Sequence, residues 1–119
     1  MELRQGRKPR QTDVILEDDT EARLFADIGL GLLSVKGLKL AFKVMKAQND
    51  NEWPVEVTVT KRRLRHVAYR MIDKASDLGA MQKHPGIGTD EYPDAVENEF
   101  ALRNMAADID EHLDLPIAA

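Results

Sequence analysis

Basic side chains at the start of one predicted helix are the residues best suited to chemistry in this sequence. Lys61, Arg62 and Arg63 lie in the first turn of a helix predicted over residues 61–81. Because a helix N-terminus carries about half a positive charge, three cations there are unfavourable unless an anion binds. Unbonded N–H groups of that turn would add donors for a phosphate, so the pattern predicts contact with DNA phosphate. The candidate nucleic-acid-binding residues are Lys61, Arg62, Arg63, Arg65, Arg70, Lys36, Lys39 and Lys43.

A row of lysines precedes this helix. Lys36, Lys39, Lys43 and Lys46 follow a 3-4-3 spacing, which places them within an arc of about 80° on a helix. Such a row is typical of a face turned to phosphate or to an anionic membrane, and also of an ordinary solvated face. Both basic clusters could instead pair with acidic segments of this chain or of another copy. The sequence leaves these alternatives open.

The net charge of −4 over 119 residues conceals blocks of opposite sign. Residues 1–10 carry +3, residues 11–35 carry −5, residues 36–74 carry +6 and residues 75–119 carry −8. A nucleic acid would meet the basic blocks rather than the average charge of the chain. The same alternation would let the acidic part of one copy meet the basic part of another.

Several classes of site are excluded or disfavoured. The chain has no cysteine, which excludes disulfides, cysteine-ligated metals and thiol nucleophiles. His66, His84 and His112 show no metal-motif spacing. Residues 86–91, GIGTDE, resemble the calcium loop of annexins, which would imply carbonyl ligands for calcium, but the flanking residues do not resemble an annexin repeat. We therefore expect no enzymatic activity, no cofactor and no metal.

The elements that must position the basic residues follow from periodicity. Valines alternate with polar residues over residues 55–60, which predicts a strand. A short apolar run over 13–17 is a candidate partner strand, within the chain or from a neighbouring copy. Apolar residues at helical spacing predict three principal helices, over about 20–47, 61–81 and 94–113, with Gly79 ending the second. The expected fold class is mainly α with one or two short strands.

The first predicted helix, over residues 20–47, is apolar around its whole circumference near its centre. Gly29 and Gly31 leave open whether this segment forms one helix or two. A helix that is apolar all round is buried on all sides, and a small chain can hardly enclose it. We therefore expect a homo-oligomer or a larger protein assembly. The candidate interface residues are Leu24, Ile28, Leu32, Phe42 and Met45.

The sequence divides into a basic flexible arm (1–12), a single helical domain (13–113) and a tail (114–119). The arm lacks the apolar stretch of a signal peptide, and no segment is apolar enough to span a membrane, so we expect a cytoplasmic location or one within a virion.

Two function classes remain. One is a non-catalytic oligomeric accessory protein, of packaging or regulatory type, that contacts DNA phosphates. The other is a structural assembly protein, such as a virion, adaptor or connector subunit, whose charge blocks pair between neighbours.

Overall fold

In the computed structural model, the described backbone comprises residues 1–32, 35–82 and 95–114, and side chains are described for 1–29, 37–80 and 95–114. The elements in chain order are β1 (Glu2–Gln5), β2 (Gln11–Leu16), α1 (Asp19–Leu32), α2 (Val35–Asp50), β3 (Val55–Thr60), α3 (Lys61–Gln82) and α4 (Ala95–Asp114). The prediction of a mainly helical fold with a few short strands is confirmed.

The three strands form one antiparallel sheet in the order β1-β2-β3. Val14 lies opposite Val57 and Leu16 opposite Val55, so the alternating valines of β3 share one face with apolar residues of β2. That face is buried in the core, whereas Glu56 on the opposite face is exposed. Of the two pairings predicted for the β3 strand, the one within the chain is confirmed.

Residues 1–12 are not the flexible arm that the sequence predicts. Residues 2–5 form β1, and β2 already begins at Gln11. The physical reason is apolar contact: Leu3 lies opposite Val14, and both Met1 and Leu3 pack against the core, so two apolar side chains anchor an otherwise polar segment. The basic residues between the two strands therefore lie in a hairpin loop of fixed position.

The segment predicted as one helix or two over 20–47 contains two helices, α1 and α2. They pack against each other, and Gln48 near the end of α2 donates a hydrogen bond to Asp19 at the start of α1, so the pair is antiparallel. α1 begins after Asp18, whose Oδ1 accepts a hydrogen bond from the Glu21 N–H at 2.9 Å. This cap satisfies one of the amides that a helix N-terminus leaves without an intrahelical partner.

The first part of α1 is covered by the chain itself. α1 contacts α2, α3, α4 and β2. Ala22 and Phe25 are completely buried, and Leu24 is also in the core. For the described side chains of α1, up to Gly29, the chain itself therefore supplies burial that the sequence attributes to self-association.

α3 and α4 form the most extensive helix pair of the fold. Gly79, near the end of α3, lies against Glu99, near the start of α4, so these two helices are also antiparallel. A Cβ added at Gly79 would come within 2.8 Å of Glu99 Oε1. α3 continues past Gly79 to Gln82, so this glycine does not end the helix as predicted; its missing side chain leaves space for the carboxylate of Glu99. The buried stripe of α3 consists of Leu64, Val67, Ala68, Met71, Ala75 and Leu78.

Candidate nucleic-acid interface

The first turn of α3 is capped by groups of this chain. The Arg63 N–H donates to Thr60 Oγ1 at 3.3 Å, and the Lys61 N–H donates to the Arg10 carbonyl oxygen at 2.8 Å. Two of the first three amides of the helix therefore already have acceptors. The expected phosphate site built on free N–H groups is corrected accordingly: any anion here must be bound mainly by the basic side chains.

The hairpin loop between β1 and β2 lies directly beside this turn. Its backbone is closed by hydrogen bonds from Gly6 N–H to the Gln11 carbonyl (2.9 Å) and from Gln11 N–H to the Lys8 carbonyl (3.0 Å). Arg7, Lys8 and Arg10 are all exposed in this loop. The loop thus presents three cations from a backbone held in place at both ends.

Lys61 joins the loop to α3 twice. Its backbone amide bonds the Arg10 carbonyl, and its Nζ donates to Gln5 Oε1 at 2.7 Å. Two basic segments that lie far apart in the sequence are therefore adjacent in the fold. We call this group the composite basic surface, and its members are Arg7, Lys8, Arg10, Lys61, Arg62, Arg63 and Arg65.

The cations of this surface have no carboxylate partners in the part of the chain that the structure describes. The ion pairs found there join the N-terminal amine to Glu17 and Glu21, Arg4 to Glu2, and Arg103 to Glu99. Arg62, Arg63 and Arg65 are exposed to solvent. Within residues 1–32, 35–82 and 95–114, therefore, the basic face is not neutralised by the acidic segments of the same chain.

An exposed aromatic residue lies among the arginines of α3. Tyr69 is 56% exposed, and its spacing from Arg62 and Arg65 places all three on one stripe of the helix. Arg70 is exposed on a different flank, seven residues after Arg63. Tyr69 was not among the predicted contact residues, because those were chosen by their charge. The loop cations were not among them either, because residues 1–12 were predicted to be a flexible arm. The net charge of +3 over residues 1–10 was the available signal.

The lysine row of α2 lies apart from this surface. Lys39 and Lys43 are exposed, and Lys43 Nζ donates to the Glu56 carbonyl at 3.2 Å; the side chain of Lys36 lies outside the described set. Glu56 is four residues before Thr60 on β3, which corresponds to about 13 Å along the strand. Lys39 and Lys43 remain predicted phosphate contacts, but on a separate part of the molecule.

The predicted interface residues fall into two groups. Leu24 is only 8% exposed within the single chain and Ile28 is partly buried against the core, whereas Phe42 and Met45 are 69% and 56% exposed. The side chain of Leu32 lies outside the described set. Among the four predicted interface residues whose side chains are described, Phe42 and Met45 therefore present the most surface to another molecule.

One histidine has a defined polar environment. Nε2 of His112 lies 3.1 Å from Oγ1 of Thr12, which is fully buried. Burial lowers the pKa of His112, and the positive charge of Lys61 lowers it further. Folding therefore disfavours the charged imidazole of His112 relative to the unfolded chain.

The described residues offer little for other chemistry. They contain no group of three or more His, Cys, Asp or Glu side chains arranged to hold a metal ion. No described helix is long and apolar enough to cross a membrane. The GIGTDE segment, 86–91, lies outside the described residues.

Comparisons with family models, with curated protein sequences and with solved structures find no match to this chain. Inference about its function therefore depends on the arrangement of its own residues.

Proposed function

We propose that this chain is a non-catalytic accessory protein that self-associates and binds DNA through phosphate contacts at the composite basic surface. The observation that carries the proposal is the pair of hydrogen bonds from Lys61, to Arg10 and to Gln5, which joins the loop cations to those of α3. A cluster of basic side chains on one surface is the electrostatic footprint expected of a nucleic-acid-binding protein.

The energetics favour an anionic partner. Arg62 and Arg63 oppose the dipole of α3 by about 0.3–1 kcal/mol each at low salt. Neither is paired with a carboxylate among the described residues. A bound phosphate reverses the sign of this contribution, because the helix end and the side chains then act on the anion together.

The contacts expected are with the DNA backbone rather than with base edges. Arg62, Arg65 and Tyr69 lie on one stripe of α3, and no Asn or Gln accompanies them to read adenine. Most cations of the surface lie in the loop and the first helical turn, where phosphate contacts would dominate, so sequence preference should be weak. Tyr69 can pack against sugar or, on single strands, stack with a base.

The test is binding of duplex DNA by fluorescence anisotropy across a series of salt concentrations. If all seven cations met phosphates, log affinity would fall against log salt with a slope of about −6. The variant Arg62→Ala/Arg63→Ala should flatten that slope by up to about 2, and the triple alanine variant of Arg7, Lys8 and Arg10 by up to about 3.

A matched control separates position from total charge. Arg23→Ala/Arg103→Ala removes the same two charges as the α3 double variant, but from exposed positions outside the composite basic surface. Its slope should equal that of the unmodified chain. Equal loss in the control and in the α3 variant would contradict the proposal, because binding would then depend only on net charge.

The second candidate is a structural assembly protein whose charge blocks pair between neighbouring subunits. It is favoured by the exposed apolar side chains of α2, among them Phe42 and Met45. Under this function the chain would bind no DNA even at low salt, and Arg62→Ala/Arg63→Ala would dissociate the assembly. Light scattering and anisotropy on that one variant distinguish the two candidates.

A further inference from the structure

Two rows of exposed apolar side chains lie on two different helices. On α2, Leu38, Phe42 and Met45 are 55%, 69% and 56% exposed. On α4, Val96 and Phe100 are 53% and 70% exposed. Each row follows i, i+3 or i+4 spacing, so its members share one face of their helix. Neither face belongs to the core of the chain.

The two rows can be covered independently of each other. α2 packs against α1 and β3, whereas α4 packs against α3, α1 and β1. α1 therefore lies between α2 and the α3–α4 pair. Each row is on the side of its helix away from the buried stripe, which contains Leu40 and Val44 in α2 and Leu102 in α4. A molecule that covers one row leaves the other accessible.

Opposite charges flank the two rows. At 100° per residue, Lys39 and Lys46 lie within about 60° of Phe42 on one flank of the α2 row. Glu97 and Asp108 lie within about 80° of Phe100 on the corresponding flank of the α4 row. All four charged side chains are exposed. Antiparallel helices bring flanks of the same hand together, so α2 placed antiparallel on α4 pairs the lysines with the carboxylates.

We propose that the exposed row of α2 in one copy docks on the exposed row of α4 in a second copy. Two different surfaces then meet, so the contact is heterologous and copies add head to tail, as a ring or a filament. A symmetric antiparallel contact between two α2 helices would instead place lysine against lysine. The inference depends on the proposed self-association, but it does not depend on phosphate binding.

The size of the contact sets its expected strength. One helix face against another buries less than the roughly 1,600 Å² of a standard stable interface. The assembly should therefore grow with protein concentration and dissociate on dilution. The composite basic surface takes no part in the contact and remains available in every copy.

The decisive experiment is sedimentation velocity on two serine variants, alone and mixed. Phe42→Ser removes the centre of the α2 row and Phe100→Ser that of the α4 row, and both positions are exposed, so the fold should be retained. Each variant alone should be monomeric at concentrations where the unmodified chain assembles. An equimolar mixture keeps one intact α2 row and one intact α4 row, so it should form a 1:1 heterodimer and nothing larger. Ile72→Ser, which removes a 40% exposed apolar side chain that belongs to neither row, should assemble normally.

Charge reversal gives an independent readout if a serine variant is poorly folded. Lys39→Glu/Lys46→Glu and Glu97→Lys/Asp108→Lys should each be monomeric alone. Mixed, they should form species larger than a dimer, because both junctions are then complementary. Three results would each overturn the proposal. Phe100→Ser could assemble to the same extent as the unmodified chain, the mixture of serine variants could remain monomeric, or the unmodified chain could itself be monomeric. DNA binding is measured on the two serine variants, which keep every basic residue. If they bind DNA like the unmodified chain, the proposed phosphate contact stands whatever the outcome for assembly.

Discussion

Gln5 holds the hairpin loop against α3, and its replacement should separate the position of the loop cations from their charge. Its Nε2 lies 3.4, 3.1, 3.3 and 3.2 Å from the carbonyl oxygens of Gly6, Lys8, Pro9 and Gln11. Its Oε1 accepts the hydrogen bond from Lys61 Nζ at 2.7 Å. Gln5→Ala removes all of these contacts without removing a single basic residue.

The expected loss of stability follows from the number of hydrogens available. An amide nitrogen has two N–H groups, so at most two of the four carbonyls are strongly bonded at one time. The third bond, from Lys61, has a charged donor. Net values of about 0.5–1.5 kcal/mol per hydrogen bond apply, at the low end because Gln5 is exposed. We therefore expect Gln5→Ala to lower the free energy of unfolding by about 1–2 kcal/mol, measured by urea denaturation.

The functional effect should differ from that of removing cations. Arg7, Lys8 and Arg10 remain in Gln5→Ala, so the slope of log affinity for DNA against log salt should be unchanged. The affinity itself should fall by up to about tenfold, equivalent to about 1.4 kcal/mol, because a loosened loop must be ordered on binding. The assay is the same anisotropy titration, repeated across salt concentrations.

Gln5→Met is the informative control. Methionine is similar in length and adds no charge, but it has no N–H to donate to the loop carbonyls. If the donors hold the loop, Gln5→Met weakens DNA binding about as much as Gln5→Ala. Affinity equal to that of the unmodified chain in both variants, or a slope that falls in Gln5→Ala, would refute the reasoning that the loop is positioned by this side chain.

Three further substitutions test other parts of the structure. Gly6→Ala should cost about 1–3 kcal/mol in urea denaturation, because its Cβ would lie 2.9 Å from the Gln11 carbonyl oxygen, which the hairpin cannot move freely. Gly79→Ala should be neutral or stabilising by up to about 1 kcal/mol, since its Cβ meets only the end of a flexible side chain and alanine favours helix. Burial lowers the pKa of His112 in the folded chain, so stability should fall as pH drops below the unfolded value of about 6.5 and level off below the folded pKa. His112→Gln, which can still bond Thr12, should lack this pH dependence; an unchanged pH profile in the variant would contradict it.

Elements with strong periodicity were predictable from the sequence. The strand over 55–60 has the predicted bounds. α3 begins at the predicted residue and ends one residue later than predicted. α4 begins and ends one residue later than predicted. In each case a single repeating pattern decides which side chains are buried, and tertiary contacts reinforce it. Local patterns of this kind require no knowledge of the rest of the chain.

Elements that depend on one residue or on a distant partner were not predictable in the same way. β1 carries a single apolar anchor, Leu3, among charged neighbours, which is too short a pattern to indicate a strand. The coverage of α1 depends on α2 folding back against it, and nothing in the local sequence of either helix specifies that approach. The all-round apolar pattern was therefore attributed to a second copy.

The composite basic surface is a consequence of strand register. Gln11 lies opposite Thr60 in the β2–β3 ladder, so the residues that flank this pair, Arg10 and Lys61, must also be neighbours. A predicted strand over 13–17 rather than 11–16 hides that relation, because it ends the ladder two residues before the loop. Pairing of residues 13–17 with residues 55–60 within the chain was already one of the two arrangements considered. The predicted strand therefore starts two residues too late. With that start, residues 1–12 are predicted to be a disordered basic arm, whereas the structure has a hairpin loop there that places three further cations beside α3.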